Sequence, residues 1–321
     1  MMVINNLEEP YLDLFYEYLQ FKESRVSKQG FQTLKRSTKR FLAWLQLKKL
    51  SPFKITVNDA INYRKEMAEK IDRNGENLSV GTVINCLKTA RAFYRWLVLC
   101  EKIQSNPFDA IKNPRLPRHI SRNVLTESQM CCLLDKFREW YLIKNKTHAK
   151  QRYKCHVLAE LLYSTGLRIF EAADLDEENL DFDRQVVYVK SGKGGKSRVA
   201  FLNAYSIQII KQYLVVRAKV KLPGFRSTTK KLFNLCSERL AKVMNRELAL
   251  VCKELDIPII TCHGFRHSLG THLLRNGCDM RYIQIILGHD SLTSTQIYTQ
   301  VDKQDLRNVI DEFHPRKYKV C

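Results

Sequence analysis

Apolar residues recur at intervals of three and four through the first hundred positions, a spacing typical of helices with one buried face. The pattern divides residues 10–111 into four segments, and Thr56 and Ser79 are the predicted N-caps of the third and fourth helices. The clearest apolar positions are Tyr11, Leu14, Phe15, Tyr18, Leu19, Phe31, Leu34, Phe41, Leu45, Val80, Val83, Leu87, Ala90, Tyr94 and Leu97. We therefore predict an all-helical domain over residues 1–112.

Residues 113–122 are predicted to form an extended linker, because two prolines interrupt any helix and three arginines favour exposure. A capping-box sequence at Thr126–Gln129 then predicts a helix through about Tyr141. Residues 144–154 are polar and basic, so we expect a loop, followed by a helix that ends at Ser164–Gly166.

Two β-rich segments, residues 185–189 and 198–202, flank a turn that contains Gly192–Lys196. This pattern predicts a hairpin. The turn lacks the spacing of a nucleotide-binding P-loop and does not lead from a strand into a helix. Helices are predicted for most of residues 205–255, so the fold class is mainly α with a small β-sheet, and residues 123–321 form a mixed α+β domain.

The stretch from Thr261 to Val301 contains four side chains that can interact with phosphate. They are His263, Arg266, His289 and Tyr298. Thr261 is the predicted N-cap of a helix that ends at Asn276–Gly277, so His263 and Arg266 share one face in its first turns, where the helix dipole favours an anion. A second helix is predicted from Asp279 to Gly288, and Tyr298 is expected on or beside a third, short helix.

Charge narrows the range of partners. The chain has 54 Lys and Arg against 33 Asp and Glu, a net charge of +21, which points to a polyanion. The excess is present in both halves, so both domains are expected to face double-stranded DNA. Two predicted helices present basic faces that can follow duplex phosphates, although such faces are often simply solvated. Their candidate DNA-binding residues are Lys35, Arg36, Lys39, Arg40, Lys88, Arg91 and Arg95.

Other features exclude several classes of protein. No apolar run approaches eighteen residues and no signal-peptide pattern follows Met1, so we expect a soluble, cytoplasmic protein. The ten cysteines form no Cys-x-x-Cys pair, and the group Cys252, Cys262, His263 and Cys278 lacks zinc-site spacing. Buried reduced thiols, no metal site and no cofactor are therefore predicted.

The motif His263-x-x-Arg266, then Leu287–His289, then Tyr298 nine residues later closely resembles the C-terminal signature of the tyrosine recombinases, the family of phage integrases and Xer-type resolvases. Arg168 and Glu171 resemble that family's first catalytic arginine and its supporting carboxylate, although a surface ion pair is an alternative for them. Lys193 matches the family's mobile catalytic lysine, with Lys196 as the neighbouring alternative. The N-terminal half is similar to the family's core-binding domain, and the two domains are expected to form a C-shaped clamp around DNA.

The resemblance implies a metal-free and ATP-independent cleavage of DNA. Tyr298 would attack phosphorus and form a 3′-phosphotyrosyl bond, with His263 as general base and Arg168 and Arg266 clamping the phosphate. Lys193 would protonate the leaving 5′ oxygen, whereas the role of His289 is either orientation or proton transfer. The expected reaction is site-specific recombination through a Holliday junction, for resolution or for integration and excision.

The resemblance also predicts assembly. A last amphipathic helix over residues 302–313 is expected to reach into a neighbouring subunit and to couple a homotetramer on two DNA sites, with docking on its own subunit as the alternative. Two other functions remain open. A type IB topoisomerase would share the nucleophile but relax supercoils as a monomer, and a catalytically silent accessory protein would only bind DNA.

Overall fold

The protein is described by a computed structural model over residues 7–26, 28–72, 75–115, 124–142, 149–190, 197–219, 230–288 and 303–316. The chain divides into two compact units, residues 1–120 and 121–321, each with its own apolar core. Along the described ranges, no helix has the length and apolar character required to span a bilayer.

Four helices build the N-terminal unit, as the apolar pattern predicts. They are α1 (Tyr11–Glu23), α2 (Lys28–Leu47), α3 (Val57–Glu69) and α4 (Val80–Leu99). Thr56 forms a capping box with Asp59, and the Ser79 hydroxyl accepts from the backbone N–H of Thr82, so both predicted N-caps are confirmed. Buried aromatic rings pack edge to face in the core, with Phe41 5.1 Å from Tyr63 between ring centroids.

The C-terminal unit is mainly helical around a small antiparallel sheet. Among the described residues of this unit, the helices are α5 (Glu127–Leu142), α6 (Ala149–Thr165), α7 (Ile169–Asp174), α8 (Ala204–Lys219), α9 (Ser237–Glu254), α10 (Cys262–Arg275), α11 (Met280–Leu287) and α12 (Lys303–Phe313). The strands β1 (Leu180–Asp181), β2 (Val186–Val189) and β3 (Arg198–Phe201) pair in that order, with Val189 opposite Arg198. The predicted hairpin is therefore confirmed, and β1 adds a third strand that the sequence pattern did not indicate.

The prediction of a loop over residues 144–154 is wrong for its second part, because α6 begins at Ala149. The polar composition of residues 149–154 gives no indication of two non-local interactions that stabilise the start of α6. The ring of Tyr153 packs edge to face on that of Tyr213 at 5.6 Å between centroids, and Gln151 Nε2 donates to Glu247 Oε1 over 2.9 Å. Residues 143–148 lie outside the described ranges.

The C-terminal helix α12 packs on its own unit. Leu306, Val309 and Ile310 are buried within the core of that unit, and the ring of Phe313 lies close to Gly277, the residue that ends α10 in a left-handed conformation. In this single chain the predicted amphipathic helix therefore docks on its own subunit.

The segment after α12 is more deeply buried than the helix itself. His314 and Arg316 are 0% and 2% exposed. Nη2 of Arg316 lies 2.8 Å from Glu160 of α6 and 3.0 Å from Asp135 of α5. Removing one partner from such a buried ion pair is strongly destabilising, so these contacts anchor the tail. We refer to Asp135, Glu160 and Arg316 as the tail anchor.

Candidate active site

The first turns of α10 carry His263 and Arg266, as the spacing predicts. His263 is exposed, and its ring lies 4.3 Å from that of His267 between centroids. The predicted N-cap position of Thr261 is confirmed, although its side chain makes no capping hydrogen bond. Asn245 of α9 supplies the cap instead, because its Oδ1 accepts from the backbone N–H of Cys262 over 2.9 Å.

Arg266 joins α10 to the turn that follows α6. The residue is 3% exposed, and its Nη1 donates to the carbonyl oxygen of Gly166 over 2.8 Å. Gly166 has φ of +62°, and an added Cβ would lie 2.6 Å from Cδ2 of Leu287. A glycine is therefore required for this turn to approach α11 and to receive Arg266. Arg168 follows Gly166 by two residues, so the same turn leads into one predicted phosphate-clamping arginine and binds the other, Arg266 of α10.

Arg168 and Glu171 form an ion pair at the start of α7. Nη1 of Arg168 lies 3.1 Å from Oε1 of Glu171, and the backbone N–H of Arg168 donates to Oε2 over 2.7 Å. The alternative of a surface pair is wrong, since the side chain of Glu171 is 0% exposed while that of Arg168 is 22% exposed. Buried geometry of this kind fixes the orientation of the arginine rather than leaving it to solvent.

Arg198 also binds the Glu171 carboxylate, and this interaction was not predicted from the sequence. Its Nη2 lies 2.8 Å from Oε2 of Glu171, and its Nη1 donates to the carbonyl oxygen of Ile286 over 3.2 Å. Arg198 is the first residue of β3 and follows Lys193 by five positions in the sequence. An arginine at the start of an apolar strand is the one sequence signal that could have identified it.

The environment of Glu171 favours its ionised form. Burial by itself would raise the pKa of this carboxyl, but hydrogen bonds and charge from Arg198, together with the backbone N–H and charge of Arg168, outweigh burial and hold the pKa below its ordinary value. The site therefore presents two guanidinium groups organised around one carboxylate.

The end of α11 lies against the same arginines. Gly288 ends this helix with φ of +62°, and its carbonyl oxygen accepts from Nη2 of Arg168 over 3.4 Å. An added Cβ on Gly288 would lie 2.9 Å from Cδ of Arg198. The helix end thus directs the chain out of α11 at the position where His289 follows.

Three predicted catalytic residues, Lys193, His289 and Tyr298, lie outside the described residues. The structure brings together Arg168, Glu171 and Arg266 through Gly166 and the end of α11. It places His263 on the same helix as Arg266, one turn closer to the N-terminus. Their catalytic roles stay predictions.

The predicted DNA-binding residues of the N-terminal unit fall into two groups. Lys35, Arg36, Arg40, Lys88 and Arg95 are exposed on α2 and α4, whereas Lys39 and Arg91 are half-buried. Arg91 donates from Nε to the carbonyl oxygen of Phe108 over 3.2 Å and from Nη2 to that of Ile111 over 2.7 Å. Arg91 therefore holds the segment that leads out of the unit.

Comparison with known proteins gives a consistent result. Residues 123–305 match the phage integrase family. The chain is 30% identical to tyrosine recombinase XerD of Chlorobaculum tepidum over 96% of this chain and 98% of the relative. It is 29% identical to tyrosine recombinase XerC of Bacillus pumilus, over 95% and 96% of the two chains.

Solved structures show the same fold. XerH site-specific recombinase bound to difH substrate, in a pre-cleavage complex, is similar with a TM-score of 0.64 and 19% identity over 94% of this chain and 96% of that chain. The Tn1549 transposon integrase in complex with transposon right end DNA has a TM-score of 0.64 and 21% identity over 94% and 98% of the two chains.

Proposed function

Since the chain belongs to the phage integrase family, the tyrosine recombinases, we propose that it is a site-specific DNA recombinase that cleaves and rejoins strands through a 3′-phosphotyrosyl intermediate. The observation that carries this proposal is the bond from the guanidinium of Arg266 to the Gly166 turn, two residues before Arg168. A net charge of +21 supports a duplex as the substrate.

In the proposed reaction, Oη of Tyr298 forms a bond to phosphorus as the bond from phosphorus to the 5′ oxygen breaks. The ordinary pKa of a phenol is near 10, so the phenol must lose its proton during attack, and His263 accepts it. Lys193 gives a proton to the departing 5′ oxygen. The phosphotyrosyl ester retains the energy of the broken bond, and a 5′ hydroxyl from another strand reverses the step without ATP.

Arg168 and Arg266 hold the non-bridging oxygens in this proposal. Guanidinium groups suit that role because they are planar, remain charged and donate two parallel hydrogen bonds to a phosphate. Stabilising charge that develops in the transition state can contribute several kcal/mol. Glu171 keeps Arg168 in place, and His289 contributes a further hydrogen bond or a proton.

We further propose that four subunits act on two duplexes through a Holliday junction in the cytoplasm. Each subunit would exchange α12 with its neighbour in a closed ring. Exchange requires α12 to leave the position that it occupies on its own subunit, and it requires Arg316 to leave Asp135 and Glu160 of the tail anchor.

Capture of covalent adducts tests the proposed chemistry. The protein and its Tyr298→Phe variant are incubated with sheared genomic DNA of the source organism, and protein-linked fragments are recovered after denaturation and sequenced. We expect adducts that map to a defined site for the unmodified protein and none for Tyr298→Phe, with equal retention of duplex by both. Absence of adducts from the unmodified protein would refute the proposal that it is a strand-cleaving enzyme. Supercoil relaxation without strand exchange between two recovered sites would favour a type IB topoisomerase instead.

A further inference from the structure

We propose that Arg198 is a positioning residue for strand cleavage, which aligns Arg168 through their shared carboxylate Glu171 and fixes the end of α11 ahead of His289. This inference rests on the proposed function. It assigns a role to a half-buried side chain that belongs to none of the catalytic positions deduced from the sequence.

The contacts of Arg198 connect three elements of the site. Its guanidinium reaches both carboxylate oxygens of Glu171, at 2.8 Å from Nη2 to Oε2 and 3.5 Å from Nε to Oε1, and its Nη1 donates to Ile286. The backbone of Arg198 belongs to β3, Glu171 to α7 and Ile286 to α11. One planar group therefore fixes the relative position of the strand, the start of α7 and the end of α11.

Sharing of Glu171 makes the orientation of Arg168 depend on Arg198. Each arginine binds both carboxylate oxygens, since Arg168 approaches Oε1 with Nη1 and Oε2 with its backbone N–H. A buried carboxylate with a single cation would be free to rotate toward that cation. With cations on two sides, its plane is fixed, and so is the side chain of Arg168.

The end of α11 depends on the same pair of arginines. The last carbonyl groups of a helix have no partner within the helix and carry partial negative charge. Arg198 binds the carbonyl of Ile286, and Arg168 binds that of Gly288. Because Gly288 has no side chain, the aliphatic part of Arg198 packs directly against it. A shift of Arg198 would therefore displace the end of α11.

A purely structural role is the competing explanation, and Arg217 provides a matched control. The side chain of Arg217 is 11% exposed, against 15% for Arg198, and it also pairs with a carboxylate, that of Glu177. Its Nη1 donates to the carbonyl oxygens of Lys231 and Leu232 over 3.0 and 2.9 Å. Both arginines thus combine an ion pair with bonds to backbone carbonyls in the same unit.

The experiment measures single-turnover adduct formation at saturating concentrations of a nicked duplex, built on the site recovered by adduct capture. Arg198→Gln is expected to lower the rate on the order of 100-fold, as for other misplacements of a reacting group by about an ångström. Arg217→Gln should lower the Tm but leave the rate per folded molecule unchanged. Equal rates for the unmodified protein and a folded Arg198→Gln variant would overturn the inference.

A double-mutant cycle with Glu171→Gln separates positioning from folding. If Arg198 acts through Glu171, the double variant should be no slower than the slower single variant, whereas independent roles would multiply the two losses.

The pH profile of the rate is a second way to distinguish positioning from folding. Loss of Arg198 should raise the pKa of Glu171, so the defect of Arg198→Gln should deepen as the pH falls, and a defect that is constant with pH would contradict the mechanism.

Arg198→Lys covers the case in which Arg198→Gln does not fold. Lysine retains the charge but cannot reach both Glu171 and Ile286, so we expect normal folding and a rate reduced about tenfold. An unchanged rate in this variant would overturn the inference. Failure of the proposed function can be distinguished from failure of this inference. If the proposed function is wrong, the unmodified protein forms no adduct in the same assay.

Discussion

Nη1 of Arg266 donates to the carbonyl oxygen of Gly166 over 2.8 Å, although the two residues lie 100 positions apart in the chain. This bond brings the first turn of α10 to the turn that precedes Arg168. It depends on a backbone conformation that only glycine adopts readily, since Gly166 has φ of +62°.

Gly166→Ala should therefore destabilise the C-terminal unit. The left-handed conformation costs about 1–2 kcal/mol with a side chain, and the contact with Leu287 adds a similar amount, so we expect the Tm to fall by roughly 5–10 °C. Thermal unfolding followed by circular dichroism measures the change. Gly81→Ala is the control, because nothing lies within 4 Å of its added Cβ. An equal Tm for the two variants would contradict this account.

Arg266→Lys tests the guanidinium geometry. Lysine keeps the positive charge but has no planar fork, so it cannot bind Gly166 and a phosphate together. We expect adduct formation at saturating DNA to fall on the order of 100-fold, the effect of removing one donor from a preorganised anion site. Duplex affinity should change little, as measured by fluorescence anisotropy. A rate close to that of the unmodified protein would argue against the clamp.

We expect substitutions of Arg91 and Arg95 to affect different properties, stability and duplex binding respectively, although the two residues lie one turn apart on α4. The side chain of Arg95 is 69% exposed, so Arg95→Gln should weaken duplex binding. It should also reduce the slope of log affinity against log salt concentration by about one, the value for one phosphate contact. Arg91 is committed to the carbonyl oxygens of Phe108 and Ile111, so Arg91→Gln should mainly lower the Tm. Salt titrations and thermal melts of both variants measure these effects. Weaker duplex binding for Arg91→Gln and a lower Tm for Arg95→Gln would contradict the assignments.

We expect the buried His314 to make the folded protein less stable in acid. Burial lowers the pKa of His314 to about 4, below the ordinary value near 6.5. Its Nδ1 accepts from the backbone N–H of Arg316, so Nε2 carries the hydrogen that is donated to the carbonyl oxygen of Tyr163. Between pH 6.5 and 4 the unfolded chain takes up a proton on this residue that the folded chain does not, so the contribution of His314 to stability should fall by up to about 3 kcal/mol.

The measurement is the pH dependence of the free energy of unfolding in urea. His314→Gln should be less stable at pH 7 but should lose less further stability between pH 6.5 and 4. His263→Gln is a suitable control, since His263 is exposed. Equal acid sensitivity in His314→Gln and the unmodified protein would exclude His314 as the cause.

Much of the fold could be predicted because its signals are local. Helix periodicity located α1 to α4, with side-chain caps marking the starts of α3 and α4, and the capping-box sequence from Thr126 to Gln129 located the start of α5. Arg266 was singled out by its helical spacing from His263, whereas Arg168 was singled out by its resemblance to the first catalytic arginine of the tyrosine recombinases.

The errors and omissions have a common physical origin in non-local contacts. The partners of Arg198 lie 27 and 88 residues away, so no local pattern reveals them. The first turn of α6 depends on the ring of Tyr213, and the start of α10 depends on Asn245 of α9 rather than on Thr261. Short elements such as β1 also carry too few residues to show a period.

The tail anchor has a consequence for the choice of partner during assembly. If α12 and the segment after it are exchanged as proposed, Glu160 and Asp135 lose Arg316, and an unpaired buried carboxylate costs several kcal/mol. A neighbouring chain compensates that loss only if it brings an arginine at the matching position of its own tail. Subunits with a different tail sequence would then be rejected, so the anchor would act as a test of identity between neighbours.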